Sequence, residues 1–329
     1  MPALVYRNTK HTIPGWMPLE QKQPRGIAYE DDTHFVHIFG QDHGLWTISC
    51  GLTATEKKSG LLRDWVERSF GAIEIQETST EPGHTIQGVW RPGLYFDDEI
   101  MQGLATTEVD LRLCEQGLLL LIQRLDDLLL FVEPCQRTLQ THSHKARELL
   151  ILACTEVENY WQHYMRLAGI MPTRNSGFNT GDYFRLAAPL FLDEYEITLG
   201  RYADIPAIRP FFGWSSSAPT QSLGWYDAYN KTKHDRTTHF EQATIECCIQ
   251  AVAATIALFS ARFGPYRLFN GGGTLASLFN QTFSLCLRDC NPKSFYIPHI
   301  ALPSNARADL ICFSSKDIMK PRTVLPFKL

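Results

Sequence analysis

The hydrophobic pattern of the chain changes near residue 106, and this change limits the possible folds more than any other feature of the sequence. Residues 107–132 and 144–168 are strongly apolar, and their charged side chains recur at helical intervals. This spacing predicts two long helices, and Pro134 between them predicts that they form a helical hairpin. A third apolar stretch, residues 240–263, predicts another long helix.

Two runs in this region, residues 118–132 and 245–259, are apolar enough to be compared with membrane spans. A membrane-spanning helix needs about 20 predominantly apolar residues. Both runs are shorter than that, and the first contains Arg124, Asp126 and Asp127. We therefore interpret both runs as helices buried inside a bundle, and we expect no membrane partner.

The rest of the C-terminal region predicts shorter helices at residues 183–199, 223–240 and 275–287. Residues 202–220 contain Pro206, Pro210 and Pro219, which predict an irregular backbone.

The first part of the chain has a mixed pattern. Residues 34–39 and 45–52 favour strands, and the turn-forming residues 41–44 between them predict a β-hairpin. An amphipathic pattern predicts a helix from Thr55, its N-cap, to Phe70. Alternation at residues 72–76 predicts a further strand.

These patterns together predict a mainly α fold. Residues 106–290 would form a helical bundle, and residues 1–105 a smaller α+β domain with a short β-hairpin. Residues 291–329 would form an extended C-terminal tail.

Composition limits the possible functions. The 31 Lys and Arg residues and 35 Asp and Glu residues give a formal net charge of −4, so RNA binding would have to occur at a local patch. The nine cysteines are widely spread and lack zinc-site spacing, which is typical of a reducing compartment. The N-terminal residues have no apolar core of the signal-peptide type, which favours a cytoplasmic protein. We expect no metal and no cofactor.

The segment LGWYDAYNKTKHDR, residues 223–236, is the best candidate for a functional site. On a helix, one face carries four polar side chains: Asp227, Asn230, Lys231 and His234. The other side carries Tyr229, Lys233 and Arg236. An imidazole can transfer protons near neutral pH, and neighbouring cations can stabilise the negative charge of a phosphoryl transition state.

The motif Asn230-Lys231-Thr232-Lys233-His234, on a helix between long apolar helices, resembles the N-x-x-x-H motif of the HEPN superfamily. Residues 141–264 more broadly resemble bacterial proteins with a similar arrangement. The resemblance implies a helical bundle and a metal-independent endoribonuclease, of the kind found in toxin or antiviral defence systems, that works as a homodimer. It also implies that Asn230 and His234 are site residues.

The usual form of this motif is R-N-x-x-x-H, and this chain has Tyr229 in place of the arginine. A tyrosine hydroxyl is a poor substitute for a guanidinium on phosphate. Only Asn230 and His234 therefore match. The missing charge would have to come from another basic residue: Lys231, Lys233, Arg236 or the upstream Arg209.

Three functional hypotheses follow. The first is a HEPN-like protein that cleaves or binds RNA, in which His234 transfers the proton, Asn230 orients it and Lys231 stabilises charge. Lys233, Arg236, Tyr229 and Arg209 would contact the substrate. The second hypothesis, favoured by the missing arginine, is a catalytically inactive helical module for interaction or dimerisation. The third is a small-molecule enzyme located in the N-terminal domain.

The surroundings of residues 223–236 discriminate between the first two hypotheses: this face either lines an open cleft or a two-fold interface, or packs against residues 202–220. Three glutamates also lie in the predicted helix at residues 144–168: Glu148, Glu156 and Glu158. Glu148 and Glu156 share a face, and we expect them to pair with the lysines of the motif in a structural role.

Overall fold

A computed structural model of the protein describes residues 2–10, 25–42, 46–95, 97–172, 174–175, 177–302, 308–312 and 319–329. The strands are β1 (Leu4–Arg7), β2 (Arg25–Glu30), β3 (His34–Asp42), β4 (Trp46–Glu56), β5 (Ile73–Glu77), β6 (His84–Ile86), β7 (Tyr195–Leu199), β8 (Phe283–Leu287), β9 (Ala308–Cys312) and β10 (Thr323–Leu325). The α-helices are α1 (Leu62–Phe70), α2 (Asp97–Leu104), α3 (Glu108–Leu129), α4 (His144–Leu167), α5 (Thr180–Phe184), α6 (Gly224–His234), α7 (Arg236–His239), α8 (Ile245–Phe263), α9 (Tyr266–Asn270) and α10 (Thr274–Thr282).

The predicted fold class, mainly α, is wrong. Helices and sheets are mixed in this chain, and its largest sheet has six strands in the order β5-β1-β2-β3-β4-β9. All neighbours in this sheet are antiparallel. Strands β7 and β8 form a second, two-stranded sheet, and β6 and β10 form a third.

The chain divides into two compact units. Unit 1 contains residues 1–105 and 290–325, and unit 2 contains residues 106–289 and 326–329. Most of the segment expected to form a C-terminal tail therefore belongs to unit 1. There β9 pairs with β4, and β10 runs parallel to β6.

The six-stranded sheet of unit 1 is buried on both faces. Each face packs against its own apolar cluster. On β1 the side chains alternate between the faces, so that Val5 belongs to the first cluster and Tyr6 to the second. The second cluster includes Trp65, Val66 and Phe70 of α1, so this helix covers one face of the sheet.

The sequence predicted the β-hairpin of unit 1 correctly. Strands β3 and β4 pair from His34 and Glu56 to Asp42 and Trp46. Gln41 and Asp42 therefore belong to β3 rather than to the predicted turn, and the other two predicted turn residues, His43 and Gly44, lie outside the described residues. The prediction that Thr55 caps the next helix is wrong, because Thr55 belongs to β4 and pairs with Phe35. The helix begins only at Leu62.

Unit 2 contains the three long helices predicted from the sequence. Each begins at a side chain that caps its backbone: Thr107 for α3, Ser143 for α4 and Thr244 for α8. Helix α8 packs against α3, α4 and α6. Among the described residues, α8 is the one helix that is long and apolar enough to cross a membrane, and 83% of its apolar window is buried inside the protein.

Two predicted helices of unit 2 are strands for part of their length. Residues 195–199 form β7 and residues 283–287 form β8, and the two strands pair in antiparallel register. In both strands every second side chain is buried, for example Tyr195 and Ile197 in β7. A period of two fits a strand rather than a helix, and the apolar context concealed it.

Candidate functional site

Helix α6 carries the polar segment identified in the sequence. It is fixed to unit 2 by an apolar side on which Trp225, Tyr226 and Tyr229 are buried. The indole Nε1 of Trp225 donates a hydrogen bond of 3.0 Å to the backbone oxygen of Pro210. This side of α6 therefore packs against the proline-containing segment at residues 202–220.

The adjacent side of α6, which shares Tyr226 with the buried side, lines an open cleft of about 790 Å³ that we call the α4–α6 cleft. Helix α6 contributes Tyr226, Asn230, Lys233 and His234. Helix α4 contributes Glu158, Gln162 and Arg166. The segment around α5 contributes Phe178, Asn179, Thr180 and Tyr183. Three polar residues of the motif, Asn230, Lys233 and His234, thus face a cavity, although the helix also packs against residues 202–220.

Three of the predicted site residues meet in this cleft. His234 is exposed, and its ring makes no hydrogen bond within the described part of the chain. The amide Nδ2 of Asn230 donates to the backbone oxygen of Tyr226 at 3.1 Å. Lys233 Nζ donates to the Tyr229 hydroxyl at 2.8 Å, and this hydrogen bond raises the pKa of Lys233. The imidazole is therefore open to a ligand, whereas the lysine is held in place.

The other predicted site residues do not line the cleft. Lys231 forms an ion pair of 2.6 Å with Asp227, one helical turn earlier. Tyr229 is fully buried and contacts the cleft residues from behind: its hydroxyl accepts from Lys233, and its ring lies against that of Tyr226. The side chain of Arg236 lies outside the described residues. The four polar residues predicted to share a face of α6 do so, because residues 224–234 are helical and Asp227 pairs with Lys231. The cleft is lined by only two of them, Asn230 and His234, together with Lys233.

Arg209 lies in a different cavity, of about 410 Å³. Its guanidinium donates to the backbone oxygen of Asp193 and covers the ring of Phe212 at 4.3 Å from the ring centre. It also pairs with Asp289 at 3.5 Å. These contacts give Arg209 a role in fixing the 202–220 segment, away from the α4–α6 cleft.

The contribution of α4 to the cleft was not predicted from the sequence. Glu158, Gln162 and Arg166 are spaced by four residues, which places them along one side of a helix. Polar residues at this spacing in an otherwise apolar helix indicate a side that is not buried in the core. Arg166 is exposed and brings a guanidinium to the cleft. The three side chains could not be assigned to the motif without the packing of α4 against α6.

The predicted pairing of Glu148 and Glu156 with the lysines of the motif is not observed. Glu148 is exposed and lies in a small cavity beside Arg124 and Lys145, and Glu156 lies beside Gly117 of α3. Glu158 is the glutamate that meets α6.

Glu158 accepts a hydrogen bond of 2.7 Å from the Tyr226 hydroxyl. Burial, followed by the charge of Glu158, raises the pKa of Tyr226, so this hydroxyl remains a donor. Tyr183 lies at the same cleft, and burial raises its pKa to about 12. Both tyrosines are therefore neutral over the physiological pH range.

The charged and basic groups of the cleft favour an anionic ligand. Arg166, Lys233 and His234 face a single carboxylate, that of Glu158, among the described residues that line the cleft. The described residues contain no group of three His, Cys, Asp or Glu side chains that could hold a metal ion. The seven cysteines with described side chains are free thiols. The side chains that line the cleft can transfer protons and stabilise negative charge.

Comparison of the chain with protein-family models, with curated proteins and with solved structures yields no match.

Proposed function

We propose that the α4–α6 cleft binds single-stranded RNA and cleaves it without a metal ion, with His234 as the group that transfers a proton to the leaving oxygen. One observation carries this proposal: Asn230, Lys233 and His234 of the motif line an open cleft together with Arg166. The activity is the one implied by the resemblance to the HEPN superfamily.

The charges of the cleft suit a phosphodiester. Lys233 and Arg166 supply two cations from two helices, and Arg166 supplies the guanidinium that the motif lacks at Tyr229. A guanidinium can bind two phosphate oxygens at once. The exposed imidazole of His234 is accessible for proton transfer, and Asn230 offers an amide to orient the ribose or phosphate.

Aromatic side chains at the same cleft suit unpaired bases. Phe178 is partly exposed and lies near Tyr183, with ring centres 5.9 Å apart. Stacking of a base on such a ring contributes about 1–3 kcal/mol and does not require a particular sequence. We therefore assign single-stranded rather than duplex RNA to the cleft.

The test is cleavage of a fluorescent single-stranded RNA by the purified protein in excess EDTA. We expect His234→Ala to lower the cleavage rate by about 100-fold or more, the usual contribution of a positioned acid or base. His239→Ala is the matched control, because His239 lies on α7 and contacts Gln242 rather than the cleft. Equal rates for wild type and His234→Ala, with both proteins folded by circular dichroism, would refute the proposal.

An interaction module remains the second candidate, and one feature of α3 favours it. Val109, Leu113 and Leu120 are exposed by 59%, 57% and 44%, and their spacing places them on one side of α3. A second copy of the chain is the proposed occupant of this surface. Light scattering after gel filtration should then report a dimer, and Leu113→Glu should convert it to a monomer.

A further inference from the structure

We infer that Glu158 is the second proton-transfer group of the α4–α6 cleft, acting as the general base that accepts the proton of the ribose 2′-hydroxyl. This inference rests on the proposed RNA cleavage. It assigns to the cleft a carboxylate on α4 and an imidazole on α6, so that each of the two proton transfers of the reaction has its own residue.

The first argument is the fixed position of the carboxylate. Glu158 lines the cleft and is partly exposed. Its Oε1 atom accepts the hydrogen bond from Tyr226, whose own side chain is only 4% exposed. A buried donor thus holds the carboxylate at the wall of the cleft, and the carboxylate does not need to be ordered when a substrate binds.

The second argument is electrostatic. Glu158 contributes to the raised pKa of Lys233, so the carboxylate and the ammonium act on each other across the cleft. Lys233 is itself held by the Tyr229 hydroxyl. The two tyrosines of α6 therefore fix one anion and one cation, and a neutral base such as lysine is not available because Lys233 remains protonated.

The third argument is the choice among carboxylates. Glu148 and Glu156 lie on the same helix but outside the cleft, and Asp227 is paired with Lys231. Among the described residues that line the cleft, Glu158 is the one carboxylate.

The reaction is balanced without an oxidant or a second substrate. Glu158 takes the proton of the 2′-hydroxyl while O2′ forms a bond to phosphorus. The bond between phosphorus and the 5′ oxygen breaks, and its electron pair stays on that oxygen, which receives a proton from the protonated imidazole of His234. The products are a 2′,3′-cyclic phosphate end and a 5′-hydroxyl end. Water then returns the proton from Glu158 to His234.

The experiment compares two substrates that differ in the leaving group. One is a dinucleotide with an ordinary 5′ oxygen, and the other is a nucleoside 3′-(p-nitrophenyl phosphate), whose leaving group needs no proton. Glu158→Gln keeps an oxygen that can accept from Tyr226, and Glu148→Gln is the matched control on the exposed side of α4.

We expect Glu158→Gln to lower kcat/KM about 100-fold or more on both substrates, because both reactions need a base. His234→Ala should be slow on the dinucleotide and close to wild type on the activated substrate. Glu148→Gln should match wild type throughout.

The outcomes separate the two proposals. Wild-type rates for Glu158→Gln, or recovery of this variant on the activated substrate, would overturn the role of Glu158 while leaving that of His234. Failure of wild type to cleave either substrate would overturn both.

Discussion

Acidification should destabilise unit 1 through His37. This histidine is fully buried on β3, its ring stacks on Phe70 with ring centres 3.7 Å apart, and its Nδ1 atom is hydrogen-bonded to the Tyr6 hydroxyl. Burial lowers the pKa of His37 from 6.5 to about 3, because the charged imidazole would lose its hydration in this apolar environment. The His37 ring is therefore neutral in the folded unit.

The sign and size follow from linkage between protonation and folding. Because the folded pKa lies below the unfolded value, the stabilisation is complete above pH 6.5 and is lost as the pH falls toward 3. At pH 5 the unfolded chain has gained the proton and the folded unit has not. The difference of 1.5 pH units from 6.5, at about 1.4 kcal/mol per unit, gives a loss of about 2 kcal/mol.

Hydrogen–deuterium exchange of the peptides that cover β1 and β3 measures this loss within unit 1. For each protein, the opening free energy at pH 5 is subtracted from that at pH 7, after correction for the intrinsic exchange rates. This decrease should be about 2 kcal/mol larger in wild type than in the double variant Tyr6→Phe/His37→Phe. The double variant removes the titrating ring and the hydroxyl bonded to it, and it keeps an aromatic ring against Phe70. The same pH dependence in both proteins would refute the reasoning.

Three further predictions concern a cation in the cleft, a buried ion pair and the thiols. Lys233→Met should reduce the slope of log Kd against log salt for single-stranded RNA by about 0.7, as measured by fluorescence anisotropy; an unchanged slope would contradict phosphate contact. Arg322→Met should lower the unfolding free energy of unit 1 by about 3 kcal/mol in urea, because the Arg322 side chain is 1% exposed and bonded to Glu99. Of the described thiols, Cys135 should react first with a disulfide reagent, because hydrogen bonds from Thr138 lower its pKa, and the buried Cys154 should react last.

The long helices of unit 2 could be predicted because their signals are local. The helix expected at residues 144–168 spans His144–Leu167, with the Ser143 hydroxyl accepting from the backbone at its first turn. Strands β7 and β8 could not be predicted, because each is five residues long and its partner is far away in the sequence. Their alternation is too short to outweigh an apolar context that also fits a helix.

The site, like the fold, could be predicted only where it depends on local sequence. The motif of α6 and its helical conformation were readable, since they depend on neighbouring residues. The cleft depends on which side of α6 is buried, and Trp225 and Tyr229 decide this by packing. Once they are buried, Lys233 lies with His234, and Lys231 turns to Asp227.

The tyrosine in place of the motif arginine then has a physical reason. Tyr229 is fully buried, and its ring centre lies 5.4 Å from that of Tyr226. An arginine at this position would place a charge among aromatic rings, at a large cost in desolvation. Under the proposed RNA cleavage the guanidinium comes from another element, because Arg166 of α4 lines the same cleft. A tyrosine at position 229 therefore fits the packing of α6, and under the proposed function it leaves phosphate binding to Arg166 and Lys233.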